Sequence, residues 1–342
     1  MTAKRRDLSL PEWIHDELAS LLPPEIEDAY FDEDLRAWVL SRHADVLAAL
    51  YDPTLALVGP NSSKVPDISQ DSGRQQMRAE TLEALSPAKL REWREQLRLL
   101  ANALLEKLPT DQPANLTDQF SRPLCLALAV LATGTNSAEA ERFRELACPV
   151  SFSSAEPFDA GLRAQAKAAE VKLRPYFPTG PLALRDSGFV ALSQTLPCLL
   201  ANSWFALLRQ AGEWPRLHRR PALLPQALEE LLRQAGLTRI LFRMATADTT
   251  LNGVQIRAGE RIILRLFAAN HDPDRHGTSH LTLGAGPHSC VGASLIRTAC
   301  LAITQPLIER FASAELVEPV EWQGGSGFRS PKSLNVWLHA AV

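Results

Sequence analysis

Leu283-Gly-Ala-Gly-Pro-His-Ser-Cys290-Val-Gly292 sets a single cysteine among glycines, at the mouth of an apolar stretch that reads as a helix from Ala293 to Phe311. A thiolate at a helix N-terminus is stabilised by unpaired N–H groups and by the positive end of the helix dipole. Cys290 is therefore expected to be held as a thiolate. Glycine lets the backbone come close to a flat ligand and turn its N–H groups toward the sulfur. A lone Gly-x-Gly would mean no more than a turn before a helix, with a buried cysteine in it. The decision rests on what else in the chain fits the same chemistry.

A cysteine so placed suits the axial position on a haem iron, where a thiolate pushes electron density toward the metal. The segment resembles the cysteine-ligand loop of the cytochrome P450 family. Gly284, Gly286, His288, Cys290 and Gly292 fit the pattern, and Leu283 stands where phenylalanine is usual. The resemblance implies haem b (iron protoporphyrin IX) as cofactor, Cys290 as its metal ligand, and Gly284, Gly286 and Gly292 as the residues that let the backbone approach it. It runs from about Leu35 to the end of the chain and is strongest from Glu230 to Arg297. The fold class it implies is mainly α with a minor β region, a cytochrome P450-like haem domain over 1–342 with a loosely packed segment at 1–25.

The whole-chain composition agrees. With 46% hydrophobic and 22% charged residues, a packed core is expected and disorder is not. A net charge of -3 gives no reason to expect a nucleic acid or a membrane surface as partner. Five dispersed cysteines without a C-x-x-C pair argue for a reducing cytoplasm and against a disulfide framework or a zinc site. Met1-Thr-Ala-Lys-Arg-Arg is basic, but no apolar signal-peptide core follows it. Periodicity predicts helices over 44–50, 87–108, 118–131, 138–146 and 162–176. Asn252-Gly253 reads as a hairpin turn ahead of a strand at 253–256, with further strands at 261–266 and 334–338.

From Ser187 to Leu208 no residue is charged, which by length alone would make a membrane span. Ser193, Gln194, Thr195, Pro197, Asn202 and Ser203 interrupt it, so a helix buried through a large domain is the expectation. Pro197 has no N–H to give the carbonyl of Ser193, and its ring pushes the preceding turn open. A kink is therefore expected near Thr195. Ala191-Leu-Ser-Gln-Thr195 resembles the family's oxygen-binding segment, usually A-G-x-[DE]-T. Thr195 matches its alcohol, Leu192 replaces the glycine and Gln194 replaces the acid. Oxygen activation consumes two protons, and an amide can orient water but does not titrate near neutral pH. Thr195 and Gln194 are the candidate catalytic pair, with the chemistry slow, leaky or substrate-assisted.

In Pro225-Gln-Ala-Leu-Glu-Glu230-Leu-Leu-Arg233, the residues Leu228, Leu231, Leu232 and Ala235 form one apolar stripe, and Glu230 and Arg233 lie opposite it. By periodicity alone that pair is a solvated salt bridge. The sequence resembles the family's E-x-x-R signature, in which the loop approaching the cysteine covers the pair and an arginine completes the network. Arg275 is the nearby candidate. The resemblance also assigns cations to the two carboxylates of haem: Arg243, in a segment similar to R-x-A-x-x-D, His288, and Arg74 with Arg78 where the family often has H-x-x-x-R.

The chain is short for this family. The segments between Phe177 and Gly188, between Asp52 and Asp71, and after Pro273 are cut down, so truncation is expected in the F–H helix region and the meander. A more open distal face, or one completed by another chain, is the consequence. Two function classes stay open. One is a haem-thiolate monooxygenase acting on a small or carrier-tethered organic substrate with electrons from a ferredoxin-type donor, or a variant using the same iron as peroxygenase, dehydratase or isomerase. The other is a degenerate relative serving as partner or activator of another enzyme. No nucleotide-binding fingerprint is fused that could supply reductant. Lys89, Arg91, Arg94 and Arg98 form a candidate docking face for the donor.

Overall fold

The computed structural model describes residues 26–59, 64–66, 71–177, 184–277 and 279–340, so the expectation for 1–25 lies outside the described residues. Strands β1 (Tyr30–Asp32) and β2 (Ala37–Leu40) precede α1 (His43–Tyr51) and β3 (Leu55–Leu57). A helical body follows: α2 (Asp71–Ala84), α3 (Pro87–Leu105), the short β4 (Ala114–Asn115), α4 (Arg122–Thr133), α5 (Ala140–Ala155), α6 (Ala160–Leu173), α7 (Asp186–Val190), α8 (Leu196–Leu208), α9 (Glu213–Arg219) and α10 (Leu224–Ala235). Then come β5 (Ile240–Ala245), β6 (Thr249–Leu251), β7 (Val254–Ile256), β8 (Arg261–Arg265), α11 (Leu266–His271) and α12 (Ala293–Arg310). The chain closes with β9 (Phe311–Leu316), β10 (Trp322–Gly324), β11 (Arg329–Pro331) and β12 (Asn335–Ala340).

Local chemistry explains the main boundaries. Ser86 caps α3, accepting from the Lys89 N–H, with Pro87 at the first helical position. On α10 the buried residues are Leu224, Leu228, Leu231, Leu232 and Ala235, one stripe, and Gly236 ends the helix in the left-handed region at φ 39°. A Cβ on Gly236 would lie 2.1 Å from the Phe267 ring, so only glycine lets α11 pack against this helix end. Asn252 and Gly253, both at positive φ, turn β6 into β7 as a two-residue hairpin.

The minor β region is larger than the sequence suggests. Five strands pair in the order β1-β2-β8-β5-β3, with β2 and β8 parallel, while β4-β12-β9 and β10-β11 make two smaller sheets. Half of these strands have three residues or fewer, too short for a period of two to show. The principal core fills the helical body around α8, where Trp204 is fully buried, meets Phe120 at 6.0 Å between ring centroids and donates to Thr304 Oγ1. A second cluster joins α1 to the five-stranded sheet.

The uncharged stretch forms α7, a π-type turn at Ala191–Thr195 and α8. The ladder opens there: the Leu196 N–H reaches back to the carbonyl of Ala191, one turn ahead of Pro197. Among the described residues Asp186–Leu208 is the one segment long and apolar enough to cross a membrane, and two thirds of its apolar window is packed inside the fold. Helices α5 and α6, joined by four residues, pack side by side, and α5 lies against this segment. Only residues 174–185 connect α6 to α7.

Phe120→Ala removes a fully buried ring from against Trp204 and is expected to cost about 3–5 kcal/mol of stability, read by denaturant unfolding. Stability also falls with acid. Burial pushes His43, His271 and His280 below the ordinary 6.5, so each takes up its proton more readily in the unfolded chain. Their contribution is present above pH 6.5 and is lost as pH drops through the lower folded values. A thermal midpoint that declines from about pH 7.5 to 5 is expected, and an unchanged midpoint would contradict it.

Candidate active site around Cys290

The residues leading to Cys290 are hung from the end of α10. Arg233 donates from Nε and Nη2 to the two oxygens of Glu230 at 2.8 and 2.6 Å, and from Nη1 to the carbonyl of Asn270 at 2.6 Å. The Asn270 side chain accepts from the Leu281 N–H at 2.7 Å and donates to Thr282 Oγ1 at 3.0 Å, and that hydroxyl donates to the carbonyl of Leu232 at 2.8 Å. Arg233 is 16% exposed and Glu230 46%, so only the arginine is covered. Arg275 does not complete the network as expected. Its Nη1 donates to the carbonyls of Gly277 and Ser279, stiffening its own loop, and it acts on Glu230 only through space.

The cysteine loop is fixed by its backbone: the Cys290 N–H donates to the carbonyl of Leu283 at 2.8 Å and its carbonyl accepts from Ala293, where α12 begins. Gly284 and Gly286 stand at φ 71° and 68°. A Cβ on Gly286 would lie 2.5 Å from the carbonyl oxygen of Leu50, so the loop rests directly on the end of α1. Gly292 has an ordinary φ, and its N–H hydrogen-bonds the sulfur. His288 lies in the single turn Gly286–His288 and is half-buried.

Cys290 itself is exposed at the surface of this loop. The expected depression of its pKa is not what the structure gives. Burial of the sulfur among the loop atoms pushes the thiol up and outweighs the Gly292 N–H and the charges of Arg78 and Arg297, which pull it down. Arg78 on α2 donates to the carbonyl and the hydroxyl of Ser289 at 2.7 and 3.0 Å, pinning that helix beside the cysteine. The side chain of Arg74 lies outside the described residues.

Sequence reasoning missed Arg297 and its partner. One turn into α12, Arg297 grips both oxygens of Glu229 at 2.7 and 2.9 Å. His280 Nδ1 accepts from the Thr282 N–H, and its Nε2 lies 3.3 Å from Glu229, off the line of a hydrogen bond. Burial would raise the Glu229 carboxyl, but the Arg297 guanidinium holds it below its ordinary range. The signal was present in the sequence: Arg297 follows Cys290 by seven residues and lies one turn into the predicted helix.

Arg243 tests the fit of an anionic cofactor. On β5, between Leu57 and Ile262 of the neighbouring strands, it is 1% exposed. Its Nη1 donates only to the carbonyl of Phe242, its Nε has no partner, and burial lowers its pKa to about 10 with no acid to offset it. A buried guanidinium without a carboxylate is costly, and a propionate would supply one. With an exposed cysteine on the loop and Arg78 beside it, the donor set fits an iron porphyrin.

Thr195 sits at the end of the π-type turn, half-buried, in a cavity of about 740 Å³ shared with Ala191, Val190, Arg185, Val150 of α5 and Phe177 after α6. Gln194 points away, donating to the carbonyl of Arg144 on α5 at 2.5 Å. The structure therefore separates the two residues expected to act as a pair.

Arg233→Ala would leave the Asn270 carbonyl without its charged donor and the half-exposed Glu230 without its cation, a loss of about 1.5–3 kcal/mol. Insoluble or haem-free protein is expected, and wild-type haem content would refute this. Gly286→Ala, barred by both φ and the Leu50 carbonyl, is expected to lower haem content as well.

No family model matches the chain. The comparisons with individual proteins are positive. The chain is 28% identical to nocardicin C N-oxygenase of Nocardia uniformis subsp. tsuyamanensis over 87% of its own length and 89% of the relative's. It is 27% identical to mycinamicin IV hydroxylase/epoxidase of Micromonospora griseorubida, covering 88% and 89%. Among solved structures, P450BioI in complex with an acyl carrier protein superposes with a TM-score of 0.81 at 22% identity over 97% of this chain and 99% of that one. CYP164A2 of Mycobacterium smegmatis gives 0.80 at 20% identity over 95% and 94%. Relatives spanning nearly the whole chain and the shared fold agree: the chain belongs to the cytochrome P450 family, as one of its bacterial-type, haem-iron enzymes.

Proposed function

We propose that this enzyme is a haem-thiolate monooxygenase of biosynthesis, which takes a small or carrier-tethered organic substrate into the cavity beside Thr195. The observation that carries the reading is the buried, acid-free Arg243 together with Arg78 at an exposed Cys290, a donor set that suits haem b. Bound through Cys290, with Arg243, Arg78, Arg74 and His288 toward its carboxylates, haem supplies the means to insert one atom of O2 into the substrate while the other leaves as water.

The chain's own residues do the rest. Val150, Leu173, Phe177 and Val190 give the cavity apolar surface for an organic substrate, beside the charged Glu170, Arg174, Arg185 and Asp186. The Thr195 hydroxyl makes no capping bond in the opened turn and would hold a proton or a water for the reaction. Gln194 is held by the Arg144 carbonyl, so proton delivery falls to Thr195 and water.

Electrons come from a separate ferredoxin-type donor. On α3, Lys89 and Arg98 are paired with Glu92 and Glu95, which leaves Arg91 and Arg94 as the exposed cations that would face the donor. Carrier-tethered substrates are suggested by P450BioI, which is known bound to an acyl carrier protein. Gln194 in place of an acid favours a second reading, in which peroxide replaces O2 and the donor.

The absorption spectrum of the dithionite-reduced protein with carbon monoxide tests the proposal. A strongly red-shifted Soret band, lost in Cys290→Ser, is expected. Absence of haem, or a band typical of a neutral ligand, would favour a partner or activator role instead. Thr195→Ala is expected to lower coupled product formation by about 10²-fold, the scale of a general acid–base contribution, with product yield per electron as the readout. If peroxide supports turnover in both wild type and Thr195→Ala while O2 with ferredoxin supports neither, the second reading holds.

A further inference from the structure

Two π-type turns line one cavity. The first is Ala191–Thr195, and the second, Thr117–Ser121, leads into α4. Between them and α5 lies a space of about 240 Å³, bordered by Thr117 from one turn and by Ser193 and Gln194 from the other. Turns of this kind open the helical ladder and recur at functional sites. Thr117 and Ser193 are each 2% exposed, and neither hydroxyl has a hydrogen-bond partner among the described residues. Leaving a buried hydroxyl unpaired costs about 1–3 kcal/mol, a cost that water in a polar cavity removes.

The wall supplied by α5 runs from Arg144 through Cys148 to Ser151, spaced i, i+4 and i+7 along one helix face. At the outer end the guanidinia of Arg144 and Arg122 are paired with Glu141 and Asp118, acids one turn earlier, and all four side chains reach solvent. Their charges are matched, so this end is not barred to a proton. Burial pushes the Cys148 thiol up, which keeps it neutral at ordinary pH. At the inner end stands Ser151, 8% exposed. Among the described residues Ser151 alone lines both this space and the cavity that holds Thr195.

This placement answers a need created at position 194. The amide there is tied to the Arg144 carbonyl and does not titrate near neutral pH. A substrate seated beside Thr195 displaces water from that cavity and closes the direct path from solvent. Hydroxyls and water both donate and accept, so a chain of them passes a proton without any member carrying charge at rest. We infer that the space between the two π-type turns is a proton relay, running from solvent at Arg144 through water held by Thr117 and Ser193 to Ser151, which passes the proton to the Thr195 cavity. The inference rests on the monooxygenase reading, in which one O2, two electrons from the donor and two protons from solvent give one oxygenated product and one water. Where protons arrive too slowly, the same two electrons and two protons leave with the oxygen as hydrogen peroxide, and the substrate is untouched.

The haem-loaded enzyme, supplied with a plant ferredoxin, its NADPH-dependent reductase and lauric acid as the probe in the cavity, tests the relay. The readout is hydrogen peroxide released per O2 consumed. Ser151→Val puts an apolar group in the passage and is expected to raise that share about threefold or more, a modest part of a general acid–base contribution. Ser151→Thr restores a hydroxyl and should return the share to the wild-type level. Lauric acid affinity, read from the haem spectrum, should stay the same in all of them, which a merely structural role of Ser151 would not predict. If Ser151→Val does not fold, Ser193→Ala should still raise the share, whereas Ser153→Val, on α5 but bordering neither cavity, should not. A crystal structure of the haem-loaded enzyme gives an independent readout: ordered water within hydrogen-bond distance of the Ser193 and Ser151 hydroxyls is expected, and a dry space would overturn the relay. Folded Ser151 and Ser193 variants that behave like wild type, or a wild type that returns nearly all its oxygen as peroxide, would sink the relay alone. Haem-loaded wild type that consumes no O2 would sink the monooxygenase reading, and the relay with it.

Discussion

The Arg233 guanidinium touching the carbonyl of Asn270 is the contact on which the site depends. Through Asn270 it fixes Leu281 and Thr282, and Thr282 returns the chain to the end of α10 at Leu232. The loop that begins there closes on the Cys290 N–H at Leu283. The cysteine is thus placed by a relay of short bonds from one helix rather than by packing of its own side chain, which is exposed. Glu230 supports this from outside. Being half-exposed, its pairing with Arg233 is worth little as a surface bridge, but it holds the guanidinium plane in the orientation that reaches Asn270.

Cys290 shows how two effects with a common origin compete. The helix terminus that would stabilise a thiolate is worth about 0.3–1 kcal/mol at an exposed end, less than the about 1.4 kcal/mol of one pKa unit. Wrapping the sulfur in loop atoms outweighs the Gly292 N–H and the two arginines, so the thiol is raised. Arg297 is moreover shared with Glu229, which draws away part of its field. A cation directly upon the sulfur would pull the thiol down again.

Much of this was legible in the sequence, and the reasons are particular. The glycine positions announced the cysteine loop because Gly286 has no alternative against the Leu50 carbonyl. The leucine stripe of α10 announced the E-x-x-R face by exclusion. The kink appeared where Pro197 required it. What stayed hidden was non-local. Arg275 is near Glu230 in sequence logic but turns to carbonyls of its own loop, because two nearby acceptors outcompete one half-solvated carboxylate. Several strands of the sheets stayed hidden because two- and three-residue strands carry no period and their pairing is decided by partners far away in sequence, whereas β12 could be read.

The π-type turn gives a reason for the amide at position 194. Opening the ladder swings Gln194 toward α5, where it meets the backbone carbonyl of Arg144 at hydrogen-bond distance. That carbonyl can only accept, so the residue facing it must donate. An amide does so at every pH, whereas a carboxylate there would set two acceptors together and be forced to keep its proton. The acid usual at this position and the close approach of α5 are therefore incompatible in ionised form. The short connections that bring α5 down beside this turn and the amide at position 194 are two consequences of one compaction.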